Sequence, residues 1–254
     1  MGNRFDYSYR FEGTEKNIAK ARAEIEKFQA AHAKGSGCGA YDFSFDIEDE
    51  LSGALTWSCY AGHNMDKFEK ILTRLSLVNG LRIWAYWGSD DGFWESRLNL
   101  FENKALHFVD KWDAPIGLEA ALAIHRLSKS PAAEDLLILI DSFNLAVSEG
   151  SDEEDEDDND DDDECFNSRG LAKFLAVTIW KTVADHDELK NEEQCMKALL
   201  DIKTSLLKVR KHHIDIPSSP TPKGDGVEGL LATIEALELA RAAPAAANAP
   251  ALRL

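Results

Sequence analysis

The chain has 254 residues, with 28 Lys and Arg against 46 Asp and Glu, and its formal net charge is −18. Apolar residues make up 44% of the chain, enough for a real core, which excludes a wholly disordered acidic protein. The charge is unevenly placed, because residues 151–164 (SDEEDEDDNDDDDE) hold 12 acids and no base, and the rest sums to only −6. This balance disfavours a nucleic-acid binder that relies on bulk positive charge.

The sequence carries no signal for a membrane or for secretion. It has no run of 18 apolar residues, which excludes a transmembrane helix, and its beginning (MGNRFDYSYRFEG) lacks the apolar segment of a secretory signal. Asp6 occupies the position where N-myristoylation needs Ser or Thr. The four cysteines form no C-x-x-C pair and are typical of reduced thiols, so we expect a cytoplasmic protein.

Residues 1–112 begin with a strand, a helix and two further strands. Aromatic residues at 5, 7, 9 and 11 alternate with polar ones, the pattern of a half-buried strand. Thr14 can cap the helix that follows, and that helix ends near Gly35. Its apolar face carries Ile18, Ala21, Ile25 and Phe28. Alternation at 41–47 and apolar positions 55, 57 and 59 predict the next two strands.

A second helix and a three-stranded meander complete this domain. Asn64 opens the helix, its apolar face takes in positions 68, 71, 72, 75 and 78, and Asn79-Gly80 ends it. Two strands are predicted at 81–87 and 93–101, and Asn103-Lys104 turns the chain into a last strand at 105–109. The α+β order is β-α-β-β-α-β with an appended hairpin, which predicts a ferredoxin-like antiparallel sheet with two helices on one face.

Three short segments carry a resemblance to a known family. They are Asn3-Arg4-Phe5, Arg10-Phe11-Glu12-Gly13 and, beyond the first helix, Phe43-Ser44-Phe45. With the element order, they make residues 1–110 similar to the YubB-type ferredoxin-like domain of plasmid and phage accessory proteins. The resemblance implies a ferredoxin-like fold and a role in a mobile element, and it brings no known active site with it.

The sequence pattern of residues 113–243 predicts a small all-α helical bundle. Ser130-Pro131 has the pattern of an N-cap followed by proline at the first helical position, and the run at 136–140 is apolar on all sides, which predicts a central helix. Further helices are predicted from Ser168, across 196–207, and after Asp225, which has capping-box spacing with Glu228. We expect a disordered acidic insert at 149–166 and a flexible tail at 244–254.

The acidic insert is the first candidate binding segment. A calcium-binding loop that begins at Asp155 fails, because residue 160 is not Gly and residue 166 is not Glu. The run either solvates a surface loop, lies against the five bases of 197–211, or imitates a polyanion and covers a basic surface on a protein partner. Its candidate partner-binding residues are Asp152, Glu153, Glu154, Asp155, Glu156, Asp157, Asp158, Asp160, Asp161, Asp162, Asp163 and Glu164.

A second acidic group lies in the strand predicted at 41–47. Alternation places Asp42, Asp46 and Glu48 on the polar side of that strand. If the helices cover the aromatic side, these carboxylates are exposed on the open face of the sheet. They form either a solvated surface or an acidic docking patch for a partner.

Signatures of cofactor and metal sites are missing, and we predict neither. The sequence has no phosphate-binding glycine motif before a helix, and its histidines lack metal-ligand spacing. One alternative is an enzyme of unrecognised type with a site at the junction of sheet and bundle, around His63, Trp84 or Trp94. A second alternative is single-stranded nucleic-acid binding through Trp84, Tyr86 and Trp94, although the RNA-recognition signature is absent and the polar strand positions are Asp- and Ser-rich.

The sequence favours a non-enzymatic protein-interaction module with acidic surface that complements a basic partner. An accessory protein of a phage or plasmid that inhibits a nucleic-acid-handling enzyme suits both the acidity and the resemblance. We expect no membrane binding and no direct nucleic-acid binding.

Overall fold

A computed structural model describes residues 4–33, 44–46, 52–58, 62–78, 80–89, 96–149, 168–211 and 226–247. The structure is mixed α+β, and its described residues divide into two compact units, of which the first ends at Leu122 and the second begins at Ala123. The sequence places this division earlier, after residue 112. Residues just beyond 112 are tied to the sheet, because Ser96 Oγ donates a hydrogen bond to the Ala114 carbonyl at 2.6 Å and Arg10 pairs with Glu119.

The described part of the first unit contains a six-stranded sheet in which all neighbours are antiparallel. The strand order is β2-β3-β1-β4-β5-β6. The strands are β1 (Arg4–Glu12), β2 (Ser44–Asp46), β3 (Ser52–Ser58), β4 (Arg82–Ser89), β5 (Ser96–Glu102) and β6 (Ala105–Trp112). The six strands that the sequence predicts are confirmed in their order along the chain.

Two helices, α1 (Glu15–Ala33) and α2 (Gly62–Leu75), pack against one face of the sheet. The apolar face predicted for α1 is confirmed, since all four of its residues are buried. At the centre of this core the Phe68 ring lies 5.5 Å from the Tyr7 ring, 5.8 Å from the Tyr9 ring and 5.6 Å from the Phe28 ring. The alternation of β1 therefore places the Tyr7 and Tyr9 rings on the side of the sheet that the helices cover.

The turn between β5 and β6 is a two-residue hairpin. Asn103 and Lys104 both have positive φ, 50° and 61°, which defines the tight turn that matches strand twist and confirms the predicted one. The pairing of β5 with β6 shifts register at Leu98 and Asn99, which leaves Val109 of β6 without an opposite residue. This irregularity is a β-bulge, and it interrupts the ladder, which resumes at Asp110.

The second unit is built of helices in the part that the structure describes. Helix α3 begins in the first unit and ends in the second. The helices are α3 (Leu118–Leu127), α4 (Ala133–Glu149), α5 (Ser168–Asp185), α6 (Glu188–Asn191), α7 (Glu193–Asp201), α8 (Lys203–Lys211) and α9 (Gly226–Ala247). In the run at 136–140, Leu136, Leu139 and Ile140 are buried, whereas the two residues between them are partly exposed. Helix α9 includes the first four residues of the predicted tail.

Two helix boundaries differ from the sequence prediction. Helix α4 begins at Ala133 and not at Pro131, because the first helical turn closes when the Leu136 N–H donates to the Ala132 carbonyl at 3.3 Å. The single helix predicted across 196–207 is two helices, α7 and α8, which meet at Ile202 (φ −79°, ψ −4°). In α8, Leu206 is buried and Leu207 is 45% exposed.

Candidate interaction surfaces

Most of the predicted acidic residues fall outside the described part of the chain. This holds for Asp42, Glu48 and residues 152–164, and for Trp94 among the aromatic candidates. Asp46 is the last residue of β2, where its backbone pairs with Ala54 of β3 at the opposite end of the sheet from β6. The two predicted acidic surfaces therefore remain predictions from the sequence.

Of the residues proposed for a site between sheet and helices, the described part of the chain contains His63 and Trp84. His63 lies in the first turn of α2, which packs on the sheet face formed by Tyr7 and Ile83. Trp84 is next to Ile83 in β4, so strand alternation turns it to the other face of the sheet. The two therefore lie on opposite sides of the sheet, and the described residues provide no shared site for them.

Two of the three aromatic residues proposed for base stacking are buried. Trp84 is 6% exposed and Tyr86 is 4% exposed, and Leu98 and Leu100 on the same face are also buried. Base stacking on a protein requires an accessible ring face. The burial of Trp84 and Tyr86 therefore argues against single-stranded nucleic-acid binding through these two rings.

Charged residues on this second sheet face are paired with one another. The guanidinium of Arg82 lies between two carboxylates from the neighbouring strands, 3.1 Å from Glu12 and 3.2 Å from Glu102, and 5.3 Å from the centre of the Trp84 ring. Nη1 of Arg10 donates to both carboxylate oxygens of Glu119, at 2.9 and 2.8 Å. These pairs connect strands and α3, and they leave little net charge on this face.

Charge balance extends over the whole described part of the chain. Its residues comprise 25 Lys and Arg and 25 Asp and Glu, so the net charge of −18 belongs entirely to the remaining segments. In the second unit, Lys203 pairs with Glu238 and Arg210 with Glu228, so two of the five bases of 197–211 are already neutralised by α9. The excess of acid is thus separated in sequence from the described helices and strands.

The candidates for chemistry within the described ranges are structural. Burial, with a smaller contribution from Glu192, raises the pKa of the Cys195 thiol, whose Sγ donates to the Ala133 carbonyl at 3.9 Å. Nucleophilic cysteines need the opposite shift. The buried carboxylate of Asp135 is paired with Arg126 at 2.7 Å. No cluster of three or more His, Cys, Asp or Glu that could hold a metal ion occurs among these residues.

One surface feature was missed by the sequence analysis. In the edge strand β6, Leu106 is 45% exposed and Phe108 is 60% exposed, on the side of the sheet that carries Phe101. The sequence assigns these residues only to the last strand of a meander. Their position at the end of the meander could have revealed them. The last strand of a meander has no following strand to pair with, so its apolar residues lie at an edge of the sheet.

The comparisons with known proteins leave the chain without an assigned relative. No protein-family model matches it, and neither a curated protein nor a solved structure is significantly similar to it. Within the described ranges, no helix has the length and apolar character needed to cross a membrane.

Proposed function

We propose that the chain is a non-enzymatic protein-interaction module that binds, and thereby inhibits, a protein partner with a basic, nucleic-acid-handling surface. In this proposal the acidic run at residues 151–164 covers that surface in place of a nucleic acid. A cytoplasmic accessory protein of a phage or plasmid is the setting that suits this role and the resemblance of residues 1–110.

The observation that carries the proposal is the distribution of charge. The described residues are balanced, and several of their acids are engaged in ion pairs such as Arg82 with Glu12 and Lys203 with Glu238. Residues 151–164 contribute 12 acids without a base. Charge concentrated in so short a run creates a stronger local potential than the same charge spread over a surface, and it attracts a concentrated patch of opposite sign.

The fold proposal is a ferredoxin-like domain followed by a helical bundle. The chain order β1-α1-β2-β3-α2-β4 and the sheet order β2-β3-β1-β4 support the first assignment, with β5 and β6 as the appended hairpin. The helices that follow, and the buried residues of α4 such as Leu136, Leu139 and Phe143, support the second. In this arrangement the acidic run connects the end of α4 at Glu149 to the start of α5 at Ser168.

The proposal is tested with three forms of the full chain. One is the wild type, one has the 12 acids of 151–164 replaced by Asn and Gln, and one carries the same 14 residues in scrambled order as a matched control. Proteins captured from a lysate of the native host by the wild type are purified, and their Kd for each form is measured at about 0.05, 0.15 and 0.5 M salt. Competition by an oligonucleotide for the captured protein is measured in parallel.

We expect the wild type and the scrambled form to bind alike, to weaken steeply with salt, and to compete with the oligonucleotide. We expect the neutralised form to lose at least about tenfold in affinity at low salt, because each desolvated contact between opposite charges is lost. A partner that binds the neutralised form as tightly as the wild type, or whose Kd does not depend on salt, contradicts the proposal.

A further inference from the structure

The outer edge of the sheet is formed by β6, and no described residue pairs with that edge. The turn at Asn103 and Lys104 determines which backbone groups of β6 are left over. In a two-residue hairpin the flanking residues, here Glu102 and Ala105, exchange both of their hydrogen bonds. Hydrogen bonding towards β5 then recurs at every second residue of β6.

The backbone groups that point away from the sheet are those of Leu106 and Phe108. The backbone groups of Ala105 and His107 bond towards β5. Because hydrogen bonding alternates along a strand, the N–H and C=O groups of Leu106 and Phe108 face outward. The same two residues carry the exposed apolar side chains of β6. Single exposed apolar residues are ordinary, but here exposed side chains and outward backbone groups coincide on one short segment.

We propose that β6 pairs antiparallel with β6 of a second copy of this chain, about a two-fold axis at His107. This register places Leu106 of each copy opposite Phe108 of the other, in two pairs that each exchange both backbone hydrogen bonds. His107 then lies opposite His107 of the second copy on the other sheet face. The two six-stranded sheets become one continuous sheet across the axis.

A second copy is the occupant that fits because β6 is complementary to itself. Apolar Leu106 meets apolar Phe108 twice, and both side chains are covered on one face. An arrangement that is related by two-fold symmetry and pairs the same patch with itself is the commonest form of homodimer.

The bulge at Val109 limits this contact to a short segment. The bulge interrupts the even spacing of outward backbone groups there, so the added strand pairs with residues 105–108 and with little beyond them. Such a contact buries less than the roughly 1,200 Å² of a standard stable interface. The dimer is therefore weak, with a Kd between about 10 µM and 1 mM.

The register is tested by cross-linking the full chain. In a pair without backbone hydrogen bonds the Cα atoms are about 4.5 Å apart, which suits a disulfide. His107→Cys is expected to form a disulfide-linked dimer under mild oxidation, whereas the wild type, with its native cysteines, and Leu106→Cys form much less. Equal cross-linking of the His107→Cys and Leu106→Cys chains overturns the proposed register.

Association itself is measured by sedimentation equilibrium up to about 0.5 mM protein. The buffer contains about 0.5 M salt, which screens repulsion between two acidic chains and also suppresses the basic-partner binding proposed above, so the two proposals fail separately. We expect Phe108→Lys to weaken association at least tenfold. Leu145→Lys, on α4 and also 60% exposed, is the matched control and is expected to leave association unchanged.

A chain that stays monomeric at about 0.5 mM, or a dimer that Phe108→Lys and Leu145→Lys weaken equally, overturns the proposal. Pairing of β6 with a strand of a different protein alone overturns it as well.

Discussion

The two units fill their interiors with different side chains. In the first unit, aromatic rings from the sheet and from both helices meet around Phe68, at centre-to-centre distances of 5.5 to 5.8 Å. In the second unit the buried face of α5 is aliphatic and small; it consists of Ala172, Leu175, Ala176, Ile179 and Val183. The first core is rich in rings, whereas the buried apolar side chains of the second are mostly aliphatic, with Phe143 as an exception.

This difference follows from the distances between the elements. A helix packed on a sheet leaves a wide gap that rings fill, whereas helices that approach closely leave room only for small residues. At the approach of α9 to α5, an added Cβ at Gly226 would come within 2.7 Å of the Val177 backbone. We therefore expect the first unit to be sensitive to loss of volume and the second to gain of volume.

The largest expected effect is the loss of the Phe68 ring. Phe68→Ala is expected to reduce the free energy of unfolding by about 3 to 5 kcal/mol, because it leaves a cavity among three rings. The sharper test is Phe68→Leu against Phe143→Leu, since both residues are fully buried but Phe143 has no ring contact within the described residues. Phe68→Leu should cost more by about 0.5 to 1.5 kcal/mol per aromatic pair lost.

Unfolding of each unit can be followed separately with fluorotryptophan NMR, because Trp180 is the only tryptophan beyond residue 122. Urea titrations of both variants report the first unit through the other tryptophans and the second unit through Trp180. The comparison between the two cores is wrong if Phe143→Leu destabilises its unit as much as Phe68→Leu destabilises the first.

A gain of volume in the second unit is the next largest effect. A Cβ at Gly229 of α9 would lie 2.6 Å from Cε2 of Trp180 and closer still to its Nε1. We expect Gly229→Ala to cost about 1 to 3 kcal/mol through overpacking, despite the better helix propensity of alanine. Adding Trp180→Leu should remove the clash, so the double variant should be more stable than the sum of the single effects predicts. Strict additivity in urea unfolding would show that the helices adjust without strain.

The fold follows from the sequence wherever periodicity and end signals agree. The strand at 4–12 and helix α1 have clear periods of two and 3.6, and the turn at Asn103 carries the residue type that tolerates positive φ. The break at Ile202 could not be predicted in the same way, because no Gly or Pro marks it. Tertiary packing determines that boundary, and periodicity carries no information about it.

The candidate surfaces depend on sheet order, which periodicity does not determine. Alternation assigns Trp84 to a face but does not show that this face is buried. Alternation also places the side chains of Leu106 and Phe108 on one side of the strand. It does not show that β6 has no outer neighbour within the described sheet. Charge is read directly from the sequence, so the acidic run at 151–164 was found, while the balance of the remaining charges needed the structure.

Alkaline pH offers a third contrast, because all five tyrosines precede residue 87. Burial raises the pKa of Tyr7 and of Tyr9 well above the ordinary value of 10.0. Both phenols therefore stay neutral in the folded chain while those of the unfolded chain ionise. Their contribution is fully present below pH 10 and is lost as the pH rises above it, by at most about 1.4 kcal/mol per pH unit for each tyrosine.

Urea midpoints from pH 8 to 11, again resolved by fluorotryptophan signals, check this expectation. The midpoint of the first unit should fall above pH 10 while the Trp180 signal changes less, and Tyr7→Phe should flatten the fall. Equal losses in both units, or an unchanged slope in Tyr7→Phe, would show that other groups control the alkaline transition.

The smallest expected difference concerns ion pairs. Arg82→Met separates two carboxylates of neighbouring strands, Glu12 and Glu102, from their shared cation and from the Trp84 ring. Lys203→Met removes a single partner from Glu238. Surface pairs contribute about 0.2 to 1 kcal/mol, so Arg82→Met should lie near the upper end of that range and Lys203→Met near the lower end.

At about 1 M salt the Debye length is near 3 Å, and the difference between the two variants should shrink. Arg82 is shared by two carboxylates, so Glu12→Gln leaves its pair with Glu102 in place and should reduce the free energy of unfolding less than Arg82→Met does. A larger reduction by Glu12→Gln would show that the stabilisation comes from the Arg82–Glu12 pair alone.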